Sequence, residues 1–163
     1  PKCKSWNFSK SLLCDYENRK KTLVPIPKPS FEKMEYVKKY LKPRTVGVFA
    51  RNRAMYGRNL DGAFYQKLIN LLKDMDYNVI WLGEKCSVLP CPDSSIVDFS
   101  QNPEAQDLEL TLAILSQLEF TIQFWTASTR LASMVNTPWL LFESPDQLAG
   151  GGQEGTRIRL TSE

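Results

Sequence analysis

Apolar positions along the chain fall into two kinds of run. TVGVFA at Thr45–Ala50, NVIWL at Asn78–Leu82, the run Phe120–Trp125 and WLLF at Trp139–Phe142 are short, unbroken and rich in β-branched or aromatic residues. That is the form of strands buried on both faces of a parallel sheet. Between them, apolar residues recur at helical spacing. Phe31, Met34, Val37, Tyr40 and Leu41 predict a helix over Phe31–Lys42, stopped by Pro43. Phe64, Leu68, Leu71, Leu72 and Met75 predict a second, started by Asp61. Leu108, Leu112, Leu115 and Leu118 predict a third, with Pro103 in its first turn, and Thr129–Val135 a short fourth closed by Thr137-Pro138. Weaker runs at Ser95–Phe99 and Arg157–Leu160 read as a third and a last strand.

Strands that alternate with helices through short connections form a parallel sheet covered on both faces. The expected fold class is α/β, a Rossmann-like three-layer sandwich with a mainly parallel sheet of five to six strands. Ligands of such sheets bind beyond the carboxyl ends of the strands. The loops after Ala50, Gly83 and Trp125 therefore share one edge.

Ahead of this pattern, Pro1–Lys28 is polar and only weakly periodic, with Trp6, Phe8, Leu12, Leu13 and Tyr16 suggesting one amphipathic turn or strand. Pro25, Pro27 and Pro29 stiffen the chain before Ser30, a good N-cap with Lys33 at the capping-box position where Glu would stand. Residues 1–29 are read as a linker or the tail of a preceding domain, and 30–163 as one domain. Pro1 in place of Met adds the expectation of a piece of a longer chain.

Composition narrows the chemistry. The 42% hydrophobic and 24% charged shares of these 163 residues are those of an ordinary globular protein, and a net charge of +3 makes no case for nucleic acid. No apolar run approaches the roughly 20 residues of a membrane span, and no signal peptide opens the chain, so a cytoplasmic location is expected. Histidine is absent, which excludes histidine bases and histidine-ligated metals within the chain. The four cysteines, Cys3, Cys14, Cys86 and Cys91, lack zinc spacing and are expected as free thiols, with a Cys86–Cys91 bridge as the alternative. No metal and no cofactor is expected.

Two stretches at the shared edge carry candidate chemistry. In QFWTASTRLASMVNTP, an apolar strand runs into Thr126, Ala127, Ser128 and Thr129, and then a helix. The unpaired N–H groups of such a helix start can bind an anion, or a hydroxyl of Thr126 or Ser128 can simply cap it. The loop RNRAMYGRN after the first strand holds Arg51, Arg53 and Arg58, either solvated or placed to grip phosphate oxygens bidentately. Together, arginines facing helix-terminal N–H groups suit a diphosphate. There is no GxGxxG and no Walker lysine.

These residues resemble the carboxyl-terminal domain of GT-B glycosyltransferases, in particular the heptosyltransferase-like family nine. The proline-bearing VPIPKPSFEKMEYVKKYLKP, the polar loop leading to RNLDGAFYQKLINLL, and Leu82-Gly83 after the second strand follow that family's order over about Pro25–Asp146. Its late signature, Asp-Ser-Gly-Pro-x-His-Leu-Ala before a Thr-Pro and an apolar strand, is matched by Trp125–Ala132, Thr137-Pro138 and WLLF. Trp125, Ala127 and Arg130 replace the family's aspartate, glycine and histidine.

The resemblance implies a domain that binds the diphosphate of a nucleotide-sugar donor through Arg51, Arg53, Arg58, Thr126, Ala127, Ser128, Thr129 and Arg130. Gly83, Glu84 and Glu143 would meet the base or ribose, Tyr56 would stack on a base or pack its loop, and Asp61 is structural or solvated. The catalytic base and the acceptor site would belong to an amino-terminal domain missing from this chain, so the catalytic residues are unknown and no turnover is expected from the chain alone. The alternatives are a non-catalytic Rossmann-like interaction module and a nucleotide-sugar epimerase-like domain.

Overall fold

Every strand pairing among the described residues is parallel. The computed structural model describes residues 28–52, 59–124, 126–143 and 156–159. Its strands are β1 (Thr45–Phe49), β2 (Asn78–Leu82), β3 (Val97–Asp98), β4 (Phe120–Phe124), β5 (Trp139–Glu143) and β6 (Thr156–Arg159). They form one sheet in the order β3-β2-β1-β4-β5-β6. The chain builds outward from β1 through β2 to β3, crosses back to β4 on the other side of β1, and builds outward again. That reversal puts the topological switch point between the carboxyl ends of β1 and β4, where doubly wound sheets open a crevice.

The helices α1 (Phe31–Lys38), α2 (Gly62–Asp74), α3 (Leu108–Leu115) and α4 (Ala127–Met134) cover both faces. Alternation along each strand assigns the side chains. Val46, Val48, Val79, Trp81, Ile122, Phe124 and Phe142 meet Tyr65, Ile69 and Leu72 of α2 in one core. Ile80, Leu82, Trp139 and Leu141 meet Val37, Leu112, Leu115, Leu131 and Ala132 of the other three helices in the second. Trp81, wholly buried, still places its indole N–H on the Leu89 carbonyl at 2.9 Å, and Tyr65 stacks edge-on against it. Burial pushes the Tyr65 phenol above its ordinary range.

Element boundaries depart from the pattern for local reasons. α1 stops at Lys38, not Lys42, because Tyr40 and Leu41 bond three residues back and tighten the last turn ahead of Pro43. α2 presents Tyr65, Ile69 and Leu72 to the core. Leu71 and Met75, expected on that face, are more than half exposed. The expected strand Ser95–Phe99 shrinks to two residues, because Asp98 caps a 3-10 turn at Phe99–Gln101. Pro103 lies ahead of α3, which Asp107 caps through Leu110 N–H. α4 starts at Ala127, two residues early.

Two of the described helices end in a left-handed turn made by a residue other than glycine. Asp76 after α2 and Asn136 after α4 take φ of 63° and 58°, and Tyr77 and Thr137 bond back to Leu72 and Ala132 at 2.9 Å, the Schellman pattern. The buried Thr137 hydroxyl then donates to the Leu115 carbonyl at the end of α3 (2.6 Å). Beyond α2, Lys73 reaches Asp93 at 2.6 Å, and Asp93 also accepts from the amide and hydroxyl of Ser95. These partners hold the Asp93 carboxyl well below the usual carboxylate range.

Gly47, in β1, has no room for a side chain. A Cβ there would stand 2.6 Å from Leu118 Cδ1 and 2.9 Å from Leu82 Cδ1, both buried. Gly47→Val is expected to cost about 1–3 kcal/mol by overpacking, measured by urea unfolding. Asp93→Asn should be less stable than the parent at neutral pH. Because the folded carboxyl titrates below the unfolded one, that stabilisation is present above the unfolded value and is lost as pH falls through the folded one. The gap between the two unfolding curves should therefore close in acid, and a gap that stays constant down to pH 2 would contradict this account.

Candidate functional site at the carboxyl edge

The crevice at the switch point is a pocket of about 200 Å³. Its walls come from five places. Phe49, Ala50 and Arg51 leave β1; Leu82, Gly83 and Glu84 leave β2; Ser87 and Val88 follow in the same loop. Phe99, Ala105, Thr111 and Ile114 close the back from the 3-10 turn and α3, and Thr126, Ala127, Ser128 and Leu131 close the front from α4. The interior is apolar and the rim polar, the arrangement of small-molecule sites. Its volume is below the roughly 300 Å³ at which drug-sized pockets begin, which is room for one ring-sized group.

Backbone bonds brace the rim. Leu89 N–H donates to Ala50 O and Asn52 N–H to Ser87 O, both at 2.8 Å, and Arg51 pairs antiparallel with Val88. The loop after β2 is thereby fastened to the segment leaving β1. Gly83 makes the turn at φ 139°, a conformation open essentially to glycine alone. Ser87 N–H closes the loop on Glu84 O, and the Ser87 hydroxyl donates to the Glu84 carboxylate at 3.3 Å.

The start of α4 divides the small-residue stretch into two roles. Thr129 is buried within the helix and accepts from Thr126 N–H through its hydroxyl, so it serves the turn and does not line the pocket. Arg130 is exposed one turn in and is likewise outside the lining. Thr126, Ala127 and Ser128 face the pocket, with the Thr126 and Ser128 hydroxyls 2.5 Å apart. The first-turn N–H groups of Ala127 and Ser128 have no intrahelical carbonyl to meet. Thr126 belongs to both sides of this division, as the N-cap of α4 and as a pocket-lining residue.

Of the remaining candidates, Arg51, half-buried, and Glu84 line the pocket together with Gly83. Arg53, Tyr56, Arg58 and Trp125 lie outside the described residues, as do residues 1–27. Glu143 ends β5, a strand beyond β4, and pairs in register with Arg159. Asp61 caps α2, accepting from Phe64 N–H at 2.7 Å, and is structural. Cys91 is a free thiol that contacts the Asp93 carbonyl, and burial raises its pKa. Cys86 is disulfide-bonded, which overturns the free-thiol expectation for that residue, and a free Cys91 excludes the Cys86–Cys91 alternative. Among the described residues no cluster of three acidic or cysteine side chains could hold a metal, and no helix is long and apolar enough to cross a membrane.

Sequence reading missed the back wall. Phe99 and Ala105 were assigned to a strand and a helix, and nothing in their spacing indicates that the chain folds between those elements to close a cavity.

No family model and no curated protein matches the chain. Solved structures do. A glycosyltransferase family 9 structure from Veillonella parvula DSM 2008 aligns with a TM-score of 0.59 at 10% identity, over 82% of this chain and 41% of that one. The E. coli heptosyltransferase WaaC, solved with ADP-2-deoxy-2-fluoro heptose, aligns at 0.53 and 12% identity, over 78% of this chain and 41% of its own. The chain shares the fold of the aligned parts of these two structures. It spans less than half the length of either structure.

Gly83→Ala tests the rim. A Cβ would meet Val88 at 3.1 Å in a backbone conformation that L-residues rarely adopt, so a loss of about 1–3 kcal/mol is expected in chemical denaturation.

Proposed function

We propose that this chain is the donor-binding domain of a glycosyltransferase, holding the diphosphate of a nucleotide sugar. One observation carries the reading: Arg51 and the start of α4, about 75 residues apart in sequence, line a single pocket at the switch point of a glycosyltransferase-like fold. The guanidinium supplies a charge-assisted donor, and the Ala127 and Ser128 amides supply fixed dipoles at a helix start. Arg53 and Arg58, on the same loop as Arg51, would add charge. The apolar interior between Phe49, Leu82 and Leu131 suits a flat base, with Glu84 at the rim for a ribose hydroxyl.

The chemistry would be displacement of the nucleoside diphosphate. As the glycosidic bond to the leaving group breaks, negative charge grows on the diphosphate, and donors already aimed at it lower the barrier without reorganising. The acceptor and the catalytic base would come from an amino-terminal domain, with residues 1–29 linking it to 30–163. Sugar transfer is therefore a property of the longer protein and not of this chain alone.

A second reading rests on Trp125, Ala127 and Arg130, which stand where family nine has aspartate, glycine and histidine. A pocket without those groups suits a module that binds without transferring. An epimerase-like domain is the remaining alternative, separable by turnover of the sugar nucleotide without an acceptor.

Isothermal titration of the chain with ADP, UDP and their sugar nucleotides decides between the readings. Saturable binding below millimolar concentration is expected, weakened roughly 10- to 100-fold by Arg51→Ala, the cost of one charged hydrogen-bond donor. Binding absent at millimolar concentration, or indifferent to Arg51→Ala, would sink the donor-site proposal.

A further inference from the structure

Asn102 stands in the loop that closes the back of the pocket, and its backbone and side chain are both fully engaged. Its N–H donates to the Phe99 carbonyl at 3.0 Å, and its own carbonyl accepts from Ala105 N–H at 2.9 Å. Its Oδ1 accepts from Glu104 N–H at 2.9 Å, and its Nδ2 donates to the Tyr40 hydroxyl at 2.9 Å. The first three bonds are local and fold the loop on itself. The fourth reaches back 62 residues, to the tightened turn that follows α1. We propose that Tyr40 and Asn102 are positioning residues for the pocket, and that α1, which lines no part of it, holds the back wall in place through them.

Two contacts tie Tyr40 to that wall. Its ring stands edge-on to Phe99, with centroids 5.2 Å apart at 77°, and its hydroxyl takes the Asn102 amide. Phe99 and Ala105, on either side of Asn102, are the residues of this loop that line the pocket. The amide cannot turn over: Glu104 N–H requires an oxygen at Oδ1, which leaves Nδ2 facing Tyr40. The Tyr40 hydroxyl therefore accepts, and its own proton can go to the Tyr36 hydroxyl at 3.3 Å. Tyr40 is itself fixed, since its N–H donates to the carbonyl of the wholly buried Val37. At the far end of the loop, Lys33 of α1 bridges Asp107 at 2.8 Å. α1 thus clasps residues 99–107 at both ends.

A wall that leaves its place for part of the time weakens apparent affinity in proportion to the fraction of the pocket left competent. The clasp keeps that fraction high before any ligand arrives. For its ligand the inference rests on the donor-site reading, but the position of the wall is measured without one.

Hydrogen exchange of the ligand-free chain, read by mass spectrometry over residues 99–107, reports on the wall. Titration with ADP and UDP reports on its consequence. Tyr40→Phe keeps the ring and removes the acceptor. It is expected to speed exchange over 99–107 and to weaken nucleotide binding, each roughly 3- to 10-fold, the worth of one neutral hydrogen bond. Asn102→Ala should do at least as much, and the double variant no more than Asn102→Ala alone, because the partner is already gone. Ile69→Val, in the core on the other face of the sheet, should lower the urea midpoint and leave both readings as in the parent. Unchanged exchange in Tyr40→Phe, an additive double variant, or an equal loss of affinity in Ile69→Val would each overturn the positioning role. A parent that binds neither nucleotide, with exchange behaving as expected, overturns the donor-site reading and supports the clasp.

Discussion

The pairing of β1 with β4 is the constraint on which the rest of this molecule depends. Val46, Gly47 and Val48 lie in register with Phe120, Thr121 and Ile122, across more than 70 intervening residues. Those residues fold β2 and β3 onto the far side of β1 before the chain returns. Two crossovers leaving neighbouring strands in opposite directions cannot fill the space above the strand ends, and that unfilled space is the pocket. The same pairing requires a thin centre. Gly47 lets Leu82 and Leu118 close over β1, where a side chain would collide with both.

Polar groups buried by this arrangement are mostly satisfied locally. Thr137 finishes α3, Asn136 and Asp76 turn their helices at positive φ, and Thr129 closes the first turn of α4. Each is a short polar side chain or backbone group placed where a helix leaves orphan donors or acceptors. Part of the family-like text of this chain falls in those places. Thr137-Pro138 and the small residues after β4 serve the backbone turn, which explains why the fold persists at 10–12% identity to its structural neighbours.

The same reasoning separates fold from chemistry. A helix start offers its N–H groups whatever side chains flank it, so Ala127, where the resembled family has glycine, leaves the backbone of the helix start in place. Side-chain contacts have no such protection. Arg130, where the resembled family has histidine, projects into solvent outside the pocket lining, and the pocket's described charges reduce to Arg51 and Glu84.

Strand positions and fold class were legible in the sequence because both depend on local hydrophobic periodicity. Asn78–Leu82 coincides with β2 to the residue, and β1, β4 and β5 differ from their predicted runs by one residue each. The shared edge follows from the rule for parallel sheets, which brings Arg51, Gly83, Glu84 and the Thr126–Ser128 turn together from the sequence alone, and all of them line the pocket. Helix faces and short elements were not legible. Leu71 and Tyr65 are both apolar enough for the core, and only packing against Trp81 selects Tyr65. Phe99 leaves its strand because Asp98 turns the chain, and so becomes a pocket wall. Strand order, the switch point, the partition of Thr126–Arg130 between pocket and helix, and the bonded state of Cys86 all depend on contacts between residues far apart in sequence. Periodicity carries no information about those contacts, and only tertiary packing decided them.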